Sequence, residues 1–267
     1  MRAFVTHSSK ALALLMGMMV GCSPPTSQRW TPPDHPSPQA ILDEAKEDAD
    51  AKRYENALAK HVWYHENALK LEPAQYGVRL SFALNAWVEL GQLYPPALEK
   101  LRSIRDKDES GLQEGEISDG LFHDLAAINE YLGEDTKTAQ LFVWLDQNKP
   151  DFAKSVYSVA QPSLIRAKKF DLCGKYLDPE ASFKHMLELY KVHKETGGAS
   201  PFKSRMLEFG RKNFANSVAT LVALLNLNGR RDEAAKIATV AEGELDDPEF
   251  KVLLARAKDG EVPEPWP

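Results

Sequence analysis

Two histidines four residues apart are the first candidates for chemistry in this 267-residue sequence. His61 and His65 share one face if their segment is helical, and this spacing can hold zinc or copper. Such a metal needs a third and a fourth ligand, and no H-x-H or H-E-x-x-H motif elsewhere in the sequence supplies them. We therefore expect no metal at this pair and interpret both residues as surface or groove histidines.

An acidic segment, DKDESGLQEGEI, contains a second pattern of potential metal ligands. Its residues match the opening of a calcium-binding loop at Asp106, Asp108, Ser110 and Gly111. In such a loop alternating oxygen atoms wrap one ion and glycine makes the turn. The match fails at its end, because the closing carboxylate should fall on Ile117 and the acid is Glu116. The segment therefore favours a solvated acidic loop, with calcium binding as the alternative.

Motifs for nucleophilic catalysis and phosphate binding are missing from the sequence. G-x-S-x-G, G-x-x-x-x-G-K-[ST] and G-x-G-x-x-G do not occur, and the two cysteines do not form a C-x-x-C pair. We therefore expect a protein that is not an enzyme and has no cofactor. The 33 Lys and Arg residues against 39 Asp and Glu residues give a net charge of −6, which also disfavours nucleic acid as a partner.

The N-terminal 22 residues combine positive charge, an apolar stretch and a cysteine. Arg2 and Lys10 provide positive charge before a mostly apolar stretch at residues 11–20, which is too short to span a bilayer. Small residues then precede Cys22 in the segment MVGC. Together these features resemble the signal peptide and lipobox of bacterial lipoproteins. A thiolate is the nucleophile that accepts the lipid, so cysteine is the one residue that this motif cannot replace.

The resemblance implies where the protein is located. Residues 1–21 would be removed as a signal peptide, and Cys22 would carry fatty acyl chains such as palmitate that anchor the chain to the membrane. Ser23 follows the cysteine where family members retained in the inner membrane tend to carry aspartate. We therefore expect an envelope lipoprotein in the outer membrane that faces the periplasm. The other cysteine, Cys173, is expected to be a small buried apolar residue.

The remaining chain divides by composition into a linker, a domain and a tail. Residues 22–39 contain six prolines and predict an extended linker, and residues 260–267 predict a short disordered tail. Between them, residues 40–259 show helical rather than alternating apolar spacing, which predicts an all-α domain. Gly91, Gly133 and Gly229 follow apolar stretches and are expected to end helices.

Five segments of the domain share a pattern of apolar helix, polar turn and small residue opening a second helix. The small residues are Ala57, Ala97, Ala139, Cys173 and Ala234. The pattern resembles the tetratricopeptide repeat, which implies a helical solenoid of about five helix pairs with an additional helical element around residues 181–194. The alternative is an irregular helical bundle.

The resemblance also implies a groove that takes a peptide. Aromatic side chains cluster in the first two repeats, and we expect Trp63, Tyr64 and Phe82 to border this groove. Arg79 and Glu89 are expected near the same side, where an arginine flanked by aromatic rings suits capture of a peptide carboxylate. The alternative is that Arg79 pairs with a neighbouring acid of the same chain.

The sequence as a whole predicts a lipid-anchored, non-enzymatic adaptor of the bacterial cell envelope that binds a protein or peptide partner. The second hypothesis comes from a different class of protein. It is a calcium- or metal-dependent envelope protein, which could be an enzyme of an unrecognised type.

Overall fold

A computed structural model describes residues 30–196 and 201–266 of the chain. Within these residues the chain forms thirteen α-helices and one 3₁₀ turn, with no β-strand. The all-α prediction is therefore confirmed. The predicted signal peptide and the predicted lipidation site at Cys22 lie outside the described residues.

The helices follow one another with short connections. They are α1 (Pro38–Asp50), α2 (Tyr54–Leu71), α3 (Tyr76–Leu80), α4 (Phe82–Leu93), α5 (Pro95–Glu114), α6 (Asp119–Tyr131), α7 (Asp135–Asn148), α8 (Pro150–Arg166), α9 (Phe170–Tyr176), α10 (Pro179–Thr196), α11 (Pro201–Leu227), α12 (Arg231–Glu244) and α13 (Pro248–Lys258). The 3₁₀ turn (Pro73–Gln75) connects α2 to α3. None of the described helices has the length and apolarity needed to cross a bilayer.

Local signals explain most helix boundaries. Several helices begin at a proline, where the missing N–H has no helical partner to lose. Gly133 and Gly229 have φ angles of 68° and 74° and end the helices before them, as expected. Gly91 was expected to end a helix but lies inside α4. A Cβ atom at this position would lie 2.3 Å from Cγ of Leu98, so Gly91 permits close contact between α4 and α5.

Helical hairpins form at the five positions that the sequence pattern marks. The turns join α1 to α2, α4 to α5, α6 to α7, α8 to α9 and α11 to α12. All five small residues of the pattern are buried, since none exposes more than 2% of its surface. The expected additional element is α10. Cys173 is buried as predicted, and burial raises the pKa of its thiol to about 11.

The interior differs between the N-terminal half (α1–α6) and the C-terminal half (α7–α13). One large apolar cluster fills the C-terminal half and reaches back to Leu112 on α5. Two smaller apolar clusters lie in the N-terminal half. Charged and polar residues are buried beside them, and these are Asp48, Lys60, His61, His65, Arg79, Arg105, Asp124 and Asn129.

Both ends of the described chain contact the helical domain. The backbone N–H of Trp30 donates to Oδ1 of Asn56 at 3.2 Å, and α1 begins at Pro38, one residue before the end of the predicted linker. At the other end, Val262 packs against the large apolar cluster, and Nδ2 of Asn216 donates to the carbonyl oxygen of Glu264 at 2.9 Å. Residues 260–266 thus lie against the domain, where the sequence predicted a disordered tail.

Candidate functional site

A groove between α10 and α12 is the candidate site that the geometry favours. Both helices pack against α11, and a cavity of about 420 Å³ separates them. Phe183 and Leu187 line it from α10, and Ile237 and Val240 line it from α12. The pairs lie four and three residues apart, so each helix presents one apolar stripe to the groove. Val240 is 45% exposed and so opens the groove to solvent, whereas Ile237 is buried beneath it.

Charged residues of both signs border this apolar groove. Glu180 and Lys184 lie on the α10 side, and Glu233 and Lys236 lie on the α12 side. Glu233 is held in place because Nε and Nη2 of Arg230 donate to its two carboxylate oxygens at 2.7 and 2.8 Å. An apolar floor with a polar rim is the arrangement that accepts one face of an amphipathic helix.

The residues that the sequence predicted as a partner site differ from one another in exposure. Phe82 is 76% exposed at the start of α4, and Glu89 is exposed on the same helix, where its Oε1 accepts from Nδ2 of Asn85 at 2.8 Å. Tyr64 is buried, and its hydroxyl donates to Oε1 of Gln75 at 2.8 Å. Of these three predicted residues, only Phe82 and Glu89 present their side chains to solvent.

Trp63 is half-buried beneath the N-terminal segment of the described chain. The ring of Trp30 meets it edge-on with 6.4 Å between the centroids. The ammonium group of Lys60 lies 5.7 Å from the centroid of the Trp30 ring, which is the geometry of a cation–π contact. Trp63, which was predicted to border a peptide groove, is therefore already in contact with the linker of the same chain.

Arg79 is buried between α3, α2 and α6. Its Nη1 and Nη2 both donate to the carboxylate of Asp124, and the second of these distances is 2.8 Å. Its Nε donates to the carbonyl oxygen of His65 at 2.8 Å, and Nη2 also donates to Nε2 of that histidine at 3.1 Å. The pairing with an acid of the same chain, which the sequence left open, is the arrangement in the structure. The guanidinium therefore faces its own network.

His61 and His65 are buried, in contrast to the surface or groove positions expected from the sequence. The ring of His61 stacks on Trp87 at 5.6 Å between centroids, and His65 meets the same indole edge-on. Burial lowers the pKa of His61 to about 4. Burial and the charge of Arg79 lower the pKa of His65 to about 3. Both rings are therefore neutral at physiological pH, and within the described residues Nδ1 of His61 has no hydrogen-bond partner.

The predicted acidic loop is helical, which corrects the calcium-loop hypothesis. Asp106, Asp108, Ser110 and Gly111 all lie within α5, which continues to Glu114 because Leu112 is fully buried in the large apolar cluster. Successive residues of a helix point about 100° apart, so their oxygens cannot wrap one ion. Among the described residues, no group of three or more histidine, cysteine or acidic side chains is placed to hold a metal.

Asp108 is the most perturbed carboxyl group near Arg79. Burial, followed by the negative charge of Asp124, raises its pKa to about 6, while Arg79 opposes the shift. Asp108, Asp124, Arg79 and His65 therefore form a network of ionisable groups inside the N-terminal half. Arg79, Asp124 and His65 are paired with one another, and Asp108 interacts with them only through its charge. The network forms no open site, so we assign it a structural role.

The comparisons with other proteins add no assignment. No family model, no curated protein and no solved structure matches the chain.

The sequence did not predict the groove between α10 and α12. The i, i+4 spacing of Phe183 and Leu187 and the i, i+3 spacing of Ile237 and Val240 are visible in the sequence. The same spacing describes any helix face that packs in a core. Only the tertiary placement of two helices about fifty residues apart shows that these stripes face each other across open space.

Proposed function

We propose that this chain is a non-enzymatic adaptor that binds an amphipathic helical segment of a partner protein in the groove between α10 and α12. The observation that carries this proposal is the groove itself, with apolar stripes on two helices and charges of both signs on its rim. A helix placed there would bury its apolar face on Phe183 and Val240, and its flanking charges would lie opposite Lys184 and Glu233.

The wider proposal is a tetratricopeptide-like solenoid attached by acyl chains on Cys22 to the outer membrane and facing the periplasm. The helical hairpins at all five marked turns and the buried small residues support the repeat. The proline-rich residues 22–39 and the lipobox-like segment before Cys22 support the anchor. A bound partner would then be held close to the membrane without any catalytic step.

Site-specific photo-crosslinking in native membranes tests the groove. A photoreactive residue at Val240 should capture a discrete partner, whereas one at Val252 should not. Val252 is the matched control because it is 63% exposed but lies on α13, outside the groove. Equal capture at both positions would contradict the proposal.

Substitutions separate the groove from the predicted surface in the N-terminal half. Val240→Glu should weaken partner recovery at least about tenfold, since it places a charge on the apolar floor. Val252→Glu and Phe82→Ser should leave recovery unchanged, and all three variants should keep the wild-type melting temperature within a few degrees because each site is exposed. If Phe82→Ser alone abolished recovery, the partner would bind at the surface that the sequence predicted.

A further inference from the structure

The far end of the α10–α11 hairpin carries a second exposed apolar surface. Tyr190 stacks on Phe214 with 4.7 Å between ring centroids, and His193 meets Phe209 at 5.9 Å. These contacts fix the pairing of the two helices. Because His193 lies near the end of α10, the first turns of α11 form the tip of the hairpin.

Apolar side chains at this tip point into solvent. Phe202 is 66% exposed and Val192 is 54% exposed, and Leu189 and Phe209 are also exposed. On α11, Phe202, Met206 and Phe209 follow i, i+4, i+7 spacing, and on α10 Leu189 and Val192 follow i, i+3 spacing. Each helix therefore carries one apolar stripe near the tip.

Both stripes border the same side of the hairpin. A cavity of about 250 Å³ opens between α10 and α11, and Leu189 lines it from α10 while Asn213 lines it from α11. Asn213 lies four residues after Phe209 and continues the stripe of Phe202 along α11. This side is the opposite flank of α10 from Phe183 and Leu187, so it is separate from the groove between α10 and α12.

The tip is basic although the chain is acidic. Residues 189–209, which carry both stripes, contain four basic side chains and two acids, Glu195 and Glu208, and so carry a net charge of +2 in a chain of net charge −6. The basic residues are Lys191, Lys194, Lys203 and Arg205. Lys191, Lys194 and Arg205 are exposed, and none of these three forms an ion pair within the part of the chain that the structure describes.

We propose that this tip docks on an anionic lipid surface. Phe202 and Val192 would enter the headgroup region, and Lys191, Lys194 and Arg205 would contact lipid phosphates. The charge favours this occupant, because basic residues beside exposed aromatic rings are the combination that binds acidic membranes. The groove between α10 and α12 has charges of both signs on its rim instead, as expected for a protein segment.

Docking of the tip goes beyond the adaptor function and does not depend on the groove. Basic residues near a membrane surface and one inserted ring each bind weakly, and a stable association needs more than one such contact. Together with an anchor at the N-terminus, the tip would fix the orientation of the acidic domain relative to the bilayer. Loss of groove binding in Val240→Glu would leave docking of the tip unchanged, so failure of one proposal is distinguishable from failure of the other.

Tryptophan fluorescence of the full chain tests insertion at the tip. The variant Phe202→Trp is mixed with phosphatidylcholine vesicles that contain about a quarter phosphatidylglycerol, and the signal of the native tryptophans is subtracted with the wild-type chain. We expect a blue shift of the added tryptophan. The control Val252→Trp, at an equally exposed site on α13, should show none.

Charge reversal tests the basic residues. The triple variant Lys191→Glu, Lys194→Glu, Arg205→Glu should float with the same vesicles at least about tenfold more weakly than the wild type. The matched control reverses three exposed lysines on other helices, Lys70, Lys100 and Lys154, and should float like the wild type. Because all variants keep the same N-terminal segment, the difference between them reports on the tip alone.

Three results would overturn the proposal. The first is an unchanged spectrum of Phe202→Trp with anionic vesicles, and the second is an equal shift with pure phosphatidylcholine. The third is a shift caused by raised protein concentration or by a polyglutamate peptide without vesicles, which would assign the face to a second copy of the chain or to a protein partner.

Discussion

The N-terminal and C-terminal halves of the domain bury different kinds of side chain. In the N-terminal half, three basic residues are buried, and each is paired with an acid on another part of the chain. The pairs are Lys60 with Asp48, Arg79 with Asp124, and Arg105 with Glu134. In the C-terminal half, aliphatic and aromatic residues form one large cluster, and the buried Asp247 caps α13 by accepting from the backbone N–H of Phe250.

This difference separates two ways of holding helices together. Apolar burial stabilises in proportion to area and tolerates many partners. A buried ion pair contributes little net stability but makes each wrong pairing costly, because an unpaired charge would remain in the interior. We therefore expect the buried pairs of the N-terminal half to select which helices meet, whereas the C-terminal half supplies most of the apolar burial. Both surfaces that we propose for binding lie on the C-terminal half.

Removing one partner of a buried pair should have the largest effect. Asp124→Ala leaves the guanidinium of Arg79 buried without its carboxylate, and we expect a loss of about 3–5 kcal/mol in the free energy of unfolding. Urea denaturation of the variant and the wild type measures this loss. Asp50→Ala, which breaks an exposed pair with Lys46, should cost less than about 1 kcal/mol.

The double variant Arg79→Leu, Asp124→Leu sharpens the same test. With both charges removed, most of the loss caused by Asp124→Ala should be recovered, since no uncompensated charge remains. If the double variant were as unstable as the single one, the charges would not be the cause, and the difference between the two halves would be one of packing alone.

The free energy of unfolding should also fall at acid pH because of His61, which is buried in the N-terminal half. The unfolded chain binds a proton at this imidazole with a pKa of about 6.5, whereas burial lowers the pKa in the folded state to about 4. Stability is therefore lost as the pH falls from about 6.5 to about 4, by up to about 3 kcal/mol. His61→Leu conserves side-chain volume and should remove this contribution while changing stability at pH 7 by about 1 kcal/mol or less. The acid sensitivity that comes from His65, whose pKa is lowered to about 3, should remain.

Urea midpoints at pH 7 and pH 4.5 measure this effect. His35→Leu is the control, because His35 is exposed before α1 and its replacement should leave the acid sensitivity of the wild type intact. An unchanged difference between the two midpoints in His61→Leu would mean that His61 does not contribute to the acid sensitivity of the protein.

Local sequence signals predicted the helices better than they predicted the contacts between helices. The turn at Gly229 and the start of α8 at Pro150 depend on residues within the turn itself, so the sequence shows them directly. The partner of Arg79 is Asp124, 45 residues away, and no local pattern connects the two. The sequence could only leave such pairing open as an alternative.

The acidic segment of α5 shows how a motif can mislead. Its residue types match the start of a calcium-binding loop. The buried side chain of Leu112 nevertheless extends the buried face of the helix through this segment. The apolar contact of Leu112 lies outside the motif, so the motif alone could not show that the backbone stays helical. The groove between α10 and α12 was missed for a related reason, because it depends on the spacing between helices.

Overpacking should have a moderate effect in the C-terminal half. Ala234 is 1% exposed in the first turn of α12, and Ala234→Trp forces α11 and α12 apart. We expect a loss of about 2 kcal/mol or more in urea denaturation. Gln147→Trp, at an exposed position near the end of α7, should cost less than about 0.5 kcal/mol. Equal midpoints for the two variants would contradict the assigned hairpin contact.

The smallest expected effect is at Asp108, and its sign is opposite to that of His61. Because the folded state raises the pKa of this carboxyl from 3.8 to about 6, the folded chain binds the proton more tightly than the unfolded chain. Stability therefore falls as the pH rises from about 4 to about 6, and the penalty is fully present at pH 7. Asp108→Asn should remove this penalty and stabilise the protein at pH 7 by about 1 kcal/mol, a value reduced because the side chain remains partly solvated.

At pH 4 the variant and the wild type should have equal urea midpoints. Glu99→Gln, at an exposed position of the same helix, should match the wild type at both pH values. A destabilised Asp108→Asn at pH 7 would mean that the carboxylate is favourably paired in the folded state, and that the N-terminal half holds no uncompensated buried charge.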